Sequence, residues 1–224
     1  MDFTALRLSL QVAGLATGLC VAAGLPLAWF LARRRFWGRE VLAAAAMLPL
    51  VMPPTVVGYY LLTALGRGSG FGRFLEDELG IRVVFTWQGA GIAAAVMALP
   101  LLVMTARAGF EAVDPDLEKV ALTLGRSRLA VFLTVTLPLA ARGVLAGISL
   151  AFARALGEFG ATLMVAGNIP GRTRTMPIAV YDAVQSGDTG LANVLALVLT
   201  LTSMTILAIF GWATRTYGFW HAQR

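Results

Sequence analysis

Two ionisable residues, Arg154 and Glu158, lie inside a long apolar segment of the chain. A charge left alone at the bilayer centre costs on the order of 2.5–3.5 kcal/mol on insertion scales, so it needs a partner or a function. Spaced four residues apart, the two side chains can share one helix face and neutralise each other. Two interpretations follow: a structural ion pair that lets the segment insert, or an arginine that lines a path and attracts a dianion.

A second candidate site is the sequence Pro53-Pro54-Thr55, which interrupts another apolar segment. Proline kinks a helix, and a break at membrane depth is tolerated where protein or a cavity receives the freed carbonyl groups. Such breaks occur at transport sites, although plain bundles also contain proline kinks. Glycines on both sides of Glu158 would permit close helix approach. The candidate residues for a translocation path or gate are Pro53, Pro54, Thr55, Arg154, Gly157, Glu158, Gly160 and Thr162.

Catalytic and metal-binding chemistry has little support in the sequence. The one histidine, His221, lies near the C-terminus, and a Ser-His-Asp triad or a histidine metal site would depend on it. The one cysteine, Cys20, excludes an intramolecular disulfide. A G-x-x-x-x-G-K-[ST] phosphate loop is missing, since the one lysine, Lys119, follows Glu118 rather than glycine. We therefore predict no catalytic residue, no metal and no nucleotide bound by this chain.

The elements that must position these residues are long apolar runs. The chain is 58% hydrophobic and 13% charged, whereas a soluble domain carries about 25% charged residues. A bilayer core of roughly 30 Å requires runs of this length, and the first run exceeds the roughly 7–15 apolar residues of a signal peptide. We predict one domain, an all-α integral membrane bundle of about five transmembrane helices. The predicted spans are 6–32, 41–65, 87–106, 143–166 and 191–214.

The charge distribution predicts the orientation. Of eighteen basic residues, eleven flank one side of the spans, six flank the other and Arg154 lies within a span. The richer side should be cytoplasmic, which puts the N-terminus outside and the C-terminus inside. This bias also explains the net charge of +6 without a nucleic-acid partner. On the outer side, Arg172 and Arg174 could attract an anion or pair with a partner, or could simply be solvated.

The cytoplasmic connection 107–142 has a pronounced helical pattern. Asp114 suits an N-cap and Pro115 suits the first helical position. Gly125 would end this helix, and a second segment, 127–136, leads towards the fourth span. The apolar residues at helical spacing are Leu117, Val120, Ala121 and Leu124. The sequence thus predicts a short amphipathic helix, a turn and another helix beside the bilayer.

This connection resembles the inner-loop signature of ABC importer permeases, EAA-x3-G-x9-I-x-LP. Gly125 and residues 135–138 (VTLP) agree with the second half, whereas residues 119–121 (KVA) stand where EAA is usual. The acidic contact to the ATPase therefore does not carry over to Lys119, and Glu118 is the candidate substitute. The resemblance implies a coupling helix that transmits ATPase motion, although a plain surface helix would give the same pattern. The implied coupling residues are Glu118, Lys119, Val120, Ala121, Leu124, Gly125, Val135, Leu137 and Pro138.

Three further segments are similar to the molybdate-type permease of bacterial ABC importers. They are LPLVMPPTVVGYYLL (48–62), AFARALGEFGAT (151–162) and NIPGRTRTMP (168–177). The resemblance implies import of molybdate by alternating access across the bacterial inner membrane; sulfate, thiosulfate and tungstate permeases share much of the pattern. It also implies a homodimer in the lipid bilayer, two ABC ATPase subunits that bind ATP and Mg²⁺, and a periplasmic oxyanion-binding protein.

Two other classes stay open at this point. A secondary anion transporter or channel would need no ATPase, but it would want an ion relay in the membrane, where Arg154 and Glu158 are the clear charges. A membrane-embedded enzyme would want a cluster of His, Asp or Cys near one face, and the sequence has none. Association with an ATPase subunit separates the importer from both.

Overall fold

The computed structural model describes the backbone of residues 3–222 and the side chains of residues 3–212, and all regular elements in that part are helices. Of the sequence features above, the side chains of residues 213–214, Arg215 and His221, and all of Arg224, lie outside the described part. Three helices are long and apolar enough to cross a bilayer, and two bent helix pairs raise the number to five if each pair forms one span. The all-α fold class predicted from the sequence is confirmed.

The helices follow one another with short connections. Their bounds are α1 (Thr4–Arg33), α2 (Arg39–Val51), α3 (Pro54–Leu65), α4 (Gly70–Asp77), α5 (Trp87–Glu111), α6 (Pro115–Thr123), α7 (Arg128–Val131), a π-helix (Phe132–Thr136), α8 (Leu137–Leu139), α9 (Ala141–Leu156), α10 (Gly160–Ala166), α11 (Met176–Gln185) and α12 (Thr189–Ala222). The short helices α4 and α11 lie in the two connections that the sequence places on the outer side.

The core of the bundle is built around α5, which packs most extensively against α1 and α9. Its buried stripe includes Ala90, Ala94, Ala98 and Ala106, spaced so that small side chains repeat on one face. Small residues let helix backbones approach closely where lipid removes the usual hydrophobic drive between helices. The membrane-crossing part of α12 differs, because none of its most apolar window is buried in this chain. That helix leaves a long surface for lipid or for another subunit.

The second predicted span, 41–65, is not the single kinked helix that the sequence suggested. Helix α2 ends at Val51 and α3 begins at Pro54, and their directions differ by 109°. Pro54 occupies the first position of α3, where its missing N–H removes no helical hydrogen bond. The thirteen residues of α2 rise about 20 Å, less than the roughly 30 Å hydrocarbon core, so the break falls within the bilayer.

The fourth predicted span, 143–166, is also not one continuous helix. Helix α9 ends at Leu156 and α10 begins at Gly160. Glycine has poor helix propensity, and Gly157 and Gly160 border the break. The sixteen residues of α9 rise about 24 Å, so this break also lies at membrane depth. Hydropathy could not reveal it, because the residues on both sides are equally apolar.

Candidate functional site

The connection between α5 and α9 folds into the short helix that its sequence predicts. The Asp114 carboxylate accepts a hydrogen bond from the N–H of Asp116 at 2.9 Å, and so caps α6. Gly125 has φ +81°, a left-handed conformation that glycine adopts without steric cost, and it turns the chain towards α7. Ser127 caps α7 by accepting from the N–H of Ala130 at 3.2 Å. A difference is that the second predicted segment, 127–136, continues as a π-helix. The whole stretch Arg128–Leu139 is bent by 76° from α9.

The apolar side of α6 is uncovered. None of the nine described residues of this helix is buried, and Val120 and Leu124 are 58% and 78% exposed. Leu117 and Leu122 are exposed as well, whereas Ala121 is half-buried. Exposed apolar patches are found at protein–protein and membrane interaction sites. Of the remaining predicted coupling residues, Gly125 is exposed, and those that lie half-buried towards the bundle are Val135, Leu137 and Pro138.

Lys119 lies on the exposed side of α6 and is engaged within its own helix. Its Nζ donates to the Asp116 carboxylate at 2.7 Å, and both side chains are exposed. This hydrogen bond and the attraction of the Asp116 charge raise the pKa of Lys119. The position at which the resembled signature carries an acid therefore presents a fixed cation beside an acid.

Glu118, the candidate substitute for the acidic contact, points the other way. Its Oε1 accepts from the Arg33 guanidinium at 2.8 Å and from the Thr136 hydroxyl at 2.7 Å. The carboxylate therefore faces the bundle rather than the exposed side of α6. Sequence reasoning missed Arg33 and Thr136 as its partners, because no local pattern links positions 85 and 18 residues apart.

The two broken spans meet each other inside the membrane. Helix α10 packs against α3, and a Cβ placed on Gly160 would lie 3.0 Å from the Cβ of Pro54 and 3.4 Å from Thr55. A Cβ on Gly58 of α3 would lie 2.9 Å from the Cα of Ala161. Glycine at these two points is thus what lets the backbones touch. The structure brings the two predicted groups of path residues into one site, which we name the junction: residues 53–55 and 157–162, with Arg154.

Glu158 is the buried centre of the junction, and it is only 2% exposed. Its Oε2 lies 2.6 Å from the Arg154 guanidinium, and its Oε1 accepts from the N–H of Ala161 at 2.8 Å. The predicted ion pair is therefore present, but Glu158 lies beyond the end of α9 and caps the start of α10. Thr162 is also buried, and its hydroxyl donates to the carbonyl oxygen of Phe159 at 2.9 Å.

The exposed side of the junction consists of different residues. Pro53, Thr55 and Gly157 are exposed, and Arg154 is partly exposed. These are the accessible residues of the junction, whereas Glu158 and Thr162 are buried behind them. The arginine thus has one side neutralised by Glu158 and another side accessible.

The two outer arginines singled out in the sequence have different surroundings. Arg174 is fixed within its own loop, because it binds Asp182 at 3.1 Å and Asn168 at 2.7 Å. Arg172 lines a cavity of about 490 Å³. Within the part of the chain that the structure describes, its guanidinium has no hydrogen bond or ion pair. Sequence reasoning did not find this cavity, since residues of four separate segments form it.

Two more arginines line the same cavity. Arg67 and Arg82 both bind Glu76, at 2.8 and 2.7 Å. The hydrogen bond from Arg82 and the charges of both arginines hold the pKa of Glu76 below its ordinary value, although some desolvation opposes this. Three arginines against one glutamate leave the lining with a net charge of +2. Among the side chains described, 3–212, no three of His, Cys, Asp and Glu come together as a metal would require.

The fold is a helical bundle with up to five possible spans, and the short helix α6 has an exposed apolar side. Residues 24–217 match the family of binding-protein-dependent transport system inner membrane components, and the chain belongs to this family. The family assignment confirms the resemblance found in the inner connection, and it makes the chain a multi-pass inner membrane protein and a transport subunit.

Within that family, relatives that are 42–45% identical to this chain include molybdenum transport permeases. The chain is 45% identical to the molybdenum transport system permease protein ModB of Escherichia coli K12, over 96% of this chain and 94% of the relative. It is 42% identical to ModB of Haemophilus influenzae, over 92% of each chain. It is 43% identical to the putative molybdenum transport system permease protein YvgM of Bacillus subtilis 168, over 92% of this chain and 90% of the relative.

Solved structures agree on the fold. A bacterial ABC transporter involved in the import of the acidic polysaccharide alginate has a chain that matches with TM-score 0.76 and 14% identity, over 96% of this chain and 79% of that chain. The MetNI methionine ABC transporter, in an inward-facing conformation, matches with TM-score 0.73 and 14% identity, over 95% and 94%. At these identities the likeness establishes the fold alone.

Proposed function

We propose that this chain is the permease subunit of an ATP-driven importer that carries molybdate, or a related oxyanion, across the cytoplasmic membrane. The observation that carries the proposal is α6, a helix whose apolar side nothing in the described chain covers. A short helix of this kind can fit a nucleotide-driven partner and pass a rigid-body motion to the spans. The substrate follows from the relatives, whose names specify molybdenum transport at up to 45% identity.

The partners follow from the proposed role as a permease subunit. Two copies of this chain form the path, and the uncovered length of α12 offers surface for the second copy or for lipid. Two ABC ATPase subunits bind ATP and Mg²⁺ and hydrolyse ATP, so this chain itself is not an enzyme. They cover α6 on the cytoplasmic side, which requires the N-terminus outside and the C-terminus inside. A periplasmic binding protein delivers the oxyanion at the opposite face.

The dianion meets positive charge twice on its way. At the outer face, the cavity lined by Arg67, Arg82 and Arg172 has a net charge of +2 and draws the anion towards the mouth. Deeper in the membrane, the accessible side of Arg154 lines the path at the junction. The negative charge of Glu158 partly neutralises Arg154. The anion is therefore attracted but can still dissociate.

The test is uptake by proteoliposomes that contain this chain, its ATPase and its binding protein. We expect molybdate accumulation that requires ATP and stops when the ATPase subunit is omitted. Uptake without the ATPase would instead show a secondary transporter and contradict the proposal. Competition by tungstate but not by sulfate would support the molybdate assignment, whereas preferential sulfate uptake would overturn the substrate and leave the transporter class intact.

A further inference from the structure

One carboxylate oxygen at the cytoplasmic face gathers hydrogen bonds from two distant parts of the chain. The Oε1 of Glu118 accepts from Arg33 Nε at 3.1 Å, from a terminal nitrogen of the same guanidinium at 2.8 Å, and from the Thr136 hydroxyl at 2.7 Å. Arg33 also donates to the carbonyl oxygen of Val113 at 3.0 Å. The Arg33 and Glu118 side chains are 12% and 19% exposed, and Thr136 is buried. We name Arg33, Val113, Glu118 and Thr136 the brace.

The brace joins four elements at one point. Arg33 is the last residue of α1, Glu118 lies within α6, Thr136 ends the π-helix, and Val113 lies in the link from α5 to α6. Aromatic rings join two of these elements, α1 and the π-helix, to each other and to α5. Phe132 of the π-helix lies 5.6 Å from Trp29 of α1 and 6.1 Å from Phe110 of α5, measured between ring centroids. A π-helical turn is an uncommon element that recurs at functional sites, and here it carries both contacts.

Hydrophobic packing cannot attach α6 firmly to the bundle, because none of the described residues of α6 is buried. A force applied to the exposed side of α6 must then reach the bundle through the hydrogen bonds of Glu118. Hydrogen bonds between ionised groups are shorter and about twice as strong as neutral ones, which suits them to this task. The exposed Lys119–Asp116 pair cannot serve, because both residues belong to α6 itself.

We propose that Glu118 is a positioning residue, which clamps α6 to the cytoplasmic end of α1 and to the π-helix through Arg33 and Thr136. When the ATPase displaces α6, these elements then move as one body, and the carboxylate makes no contact with the ATPase. Glu118 can act in this way only if the chain is the ATP-driven permease proposed above. The hydrogen bonds of the brace are observed within this chain and do not depend on that function.

The test measures molybdate uptake and ATP hydrolysis in the same proteoliposomes for the variants Glu118→Ala, Glu118→Gln and Arg33→Ala. Uptake should fall about tenfold or more in Glu118→Ala, as expected when charge-assisted hydrogen bonds are lost, while ATP hydrolysis stays within about twofold. Glu118→Gln should fall less, because it keeps an oxygen for Thr136. The double variant R33A/E118A should lose less than the sum of the two single losses, since both single variants remove the Arg33–Glu118 pair. Glu40→Gln is the matched control, an exposed glutamate on the same side, and both activities should stay unchanged.

A chemical clamp gives the second measurement. In R33C/E118C, a short bifunctional thiol reagent should restore uptake to at least about half of the unmodified level, because it ties α6 to α1 again. Cys20 is buried and stays in place, and each single-cysteine variant controls for reaction elsewhere. No recovery on cross-linking, or full uptake by Glu118→Ala, would overturn the proposal. So would a parallel loss of uptake and ATP hydrolysis, or a failure of every brace variant to accumulate in the membrane while Glu40→Gln accumulates. If the unaltered chain shows no ATP-dependent uptake, it is the proposed function that fails.

Discussion

The helix α6 and the junction differ in which side chains they expose and which they bury. At α6, leucine and valine side chains face outward and the carboxylate of Glu118 faces the bundle. At the junction, Glu158 is enclosed, and the chain itself supplies both an arginine and a backbone N–H to satisfy it. The apolar side of α6 is left uncovered by the described chain, whereas the polar groups of Glu158 are satisfied within it.

The two carboxylates also differ in what they connect. Glu158 binds Arg154 four residues away and the start of its own neighbouring helix, so it secures one local break. Glu118 joins Arg33 across 85 residues of sequence. Loss of the first should affect folding, and loss of the second should affect the transmission of motion.

The largest effect is expected from Glu158→Ala. Removing one partner of a buried pair leaves the other uncompensated, which costs about 3–5 kcal/mol. Membrane abundance and thermal stability in detergent should both fall, and Glu158→Gln should fall less because it keeps an acceptor for the Ala161 N–H. The double variant R154A/E158Q removes both charges and should recover much of the abundance.

Uptake by that double variant then separates the two roles left open for Arg154. If the arginine lines the path, molybdate uptake per molecule should remain about tenfold below normal even where abundance recovers, a loss worth about 1.4 kcal/mol. If uptake follows abundance, the ion pair is structural only. The accessible side of the junction would then have no role in transport that differs from that of its buried side.

The next effect is expected from Leu124→Asp on the exposed side of α6. Burying a leucine in an interface contributes about 1.5–3 kcal/mol, so association with the ATPase should weaken about ten- to hundredfold. The thermal stability of the chain alone should not change, because Leu124 contacts little of its own chain. Leu79→Asp, at an exposed leucine on the outer side, is the control and should leave association unchanged. A loss of stability in Leu124→Asp would show that α6 is an ordinary surface helix.

Some of the structural features behind these predictions can be predicted from the sequence, and others cannot. The cap at Asp114 and the turn at Gly125 are local signals, so α6 could be predicted within a few residues. The two breaks were harder, because hydropathy reports composition and not direction. The contact of Gly160 with Pro54 requires two segments about a hundred residues apart to be packed together, which one sequence does not reveal.

A smaller effect is expected from Gly160→Ala at the junction. The added Cβ would lie 3.0 Å from Pro54, and overpacking of this kind costs about 1–3 kcal/mol. Molybdate uptake per molecule should fall clearly, while the melting temperature in detergent should fall only slightly, since the contact joins the two broken spans. Gly14→Ala is the matched control, because nothing within 4 Å would meet its Cβ. Equal behaviour of the two variants would show that the junction is not closely packed.

The smallest effect is expected from Arg172→Gln in the outer cavity. Its charge acts through solvent at the mouth of the path, so uptake at low substrate should fall about two- to fivefold. The difference should fade at high salt, which screens such steering. Arg73→Gln removes an exposed outer charge away from the cavity lining and serves as control. A salt-independent loss would point to a structural role for Arg172.

Cross-linking from position 120 tests most directly whether α6 binds the ATPase. A photoreactive residue in place of Val120, which is 58% exposed, should form a product with the ATPase subunit in inverted membrane vesicles. The product should form in both nucleotide-free and ATP-bound states, because α6 follows the ATPase surface that it contacts. Labelling of position 120 from the outer face, or vesicles that transport molybdate without any product at this position, would contradict a coupling role for α6.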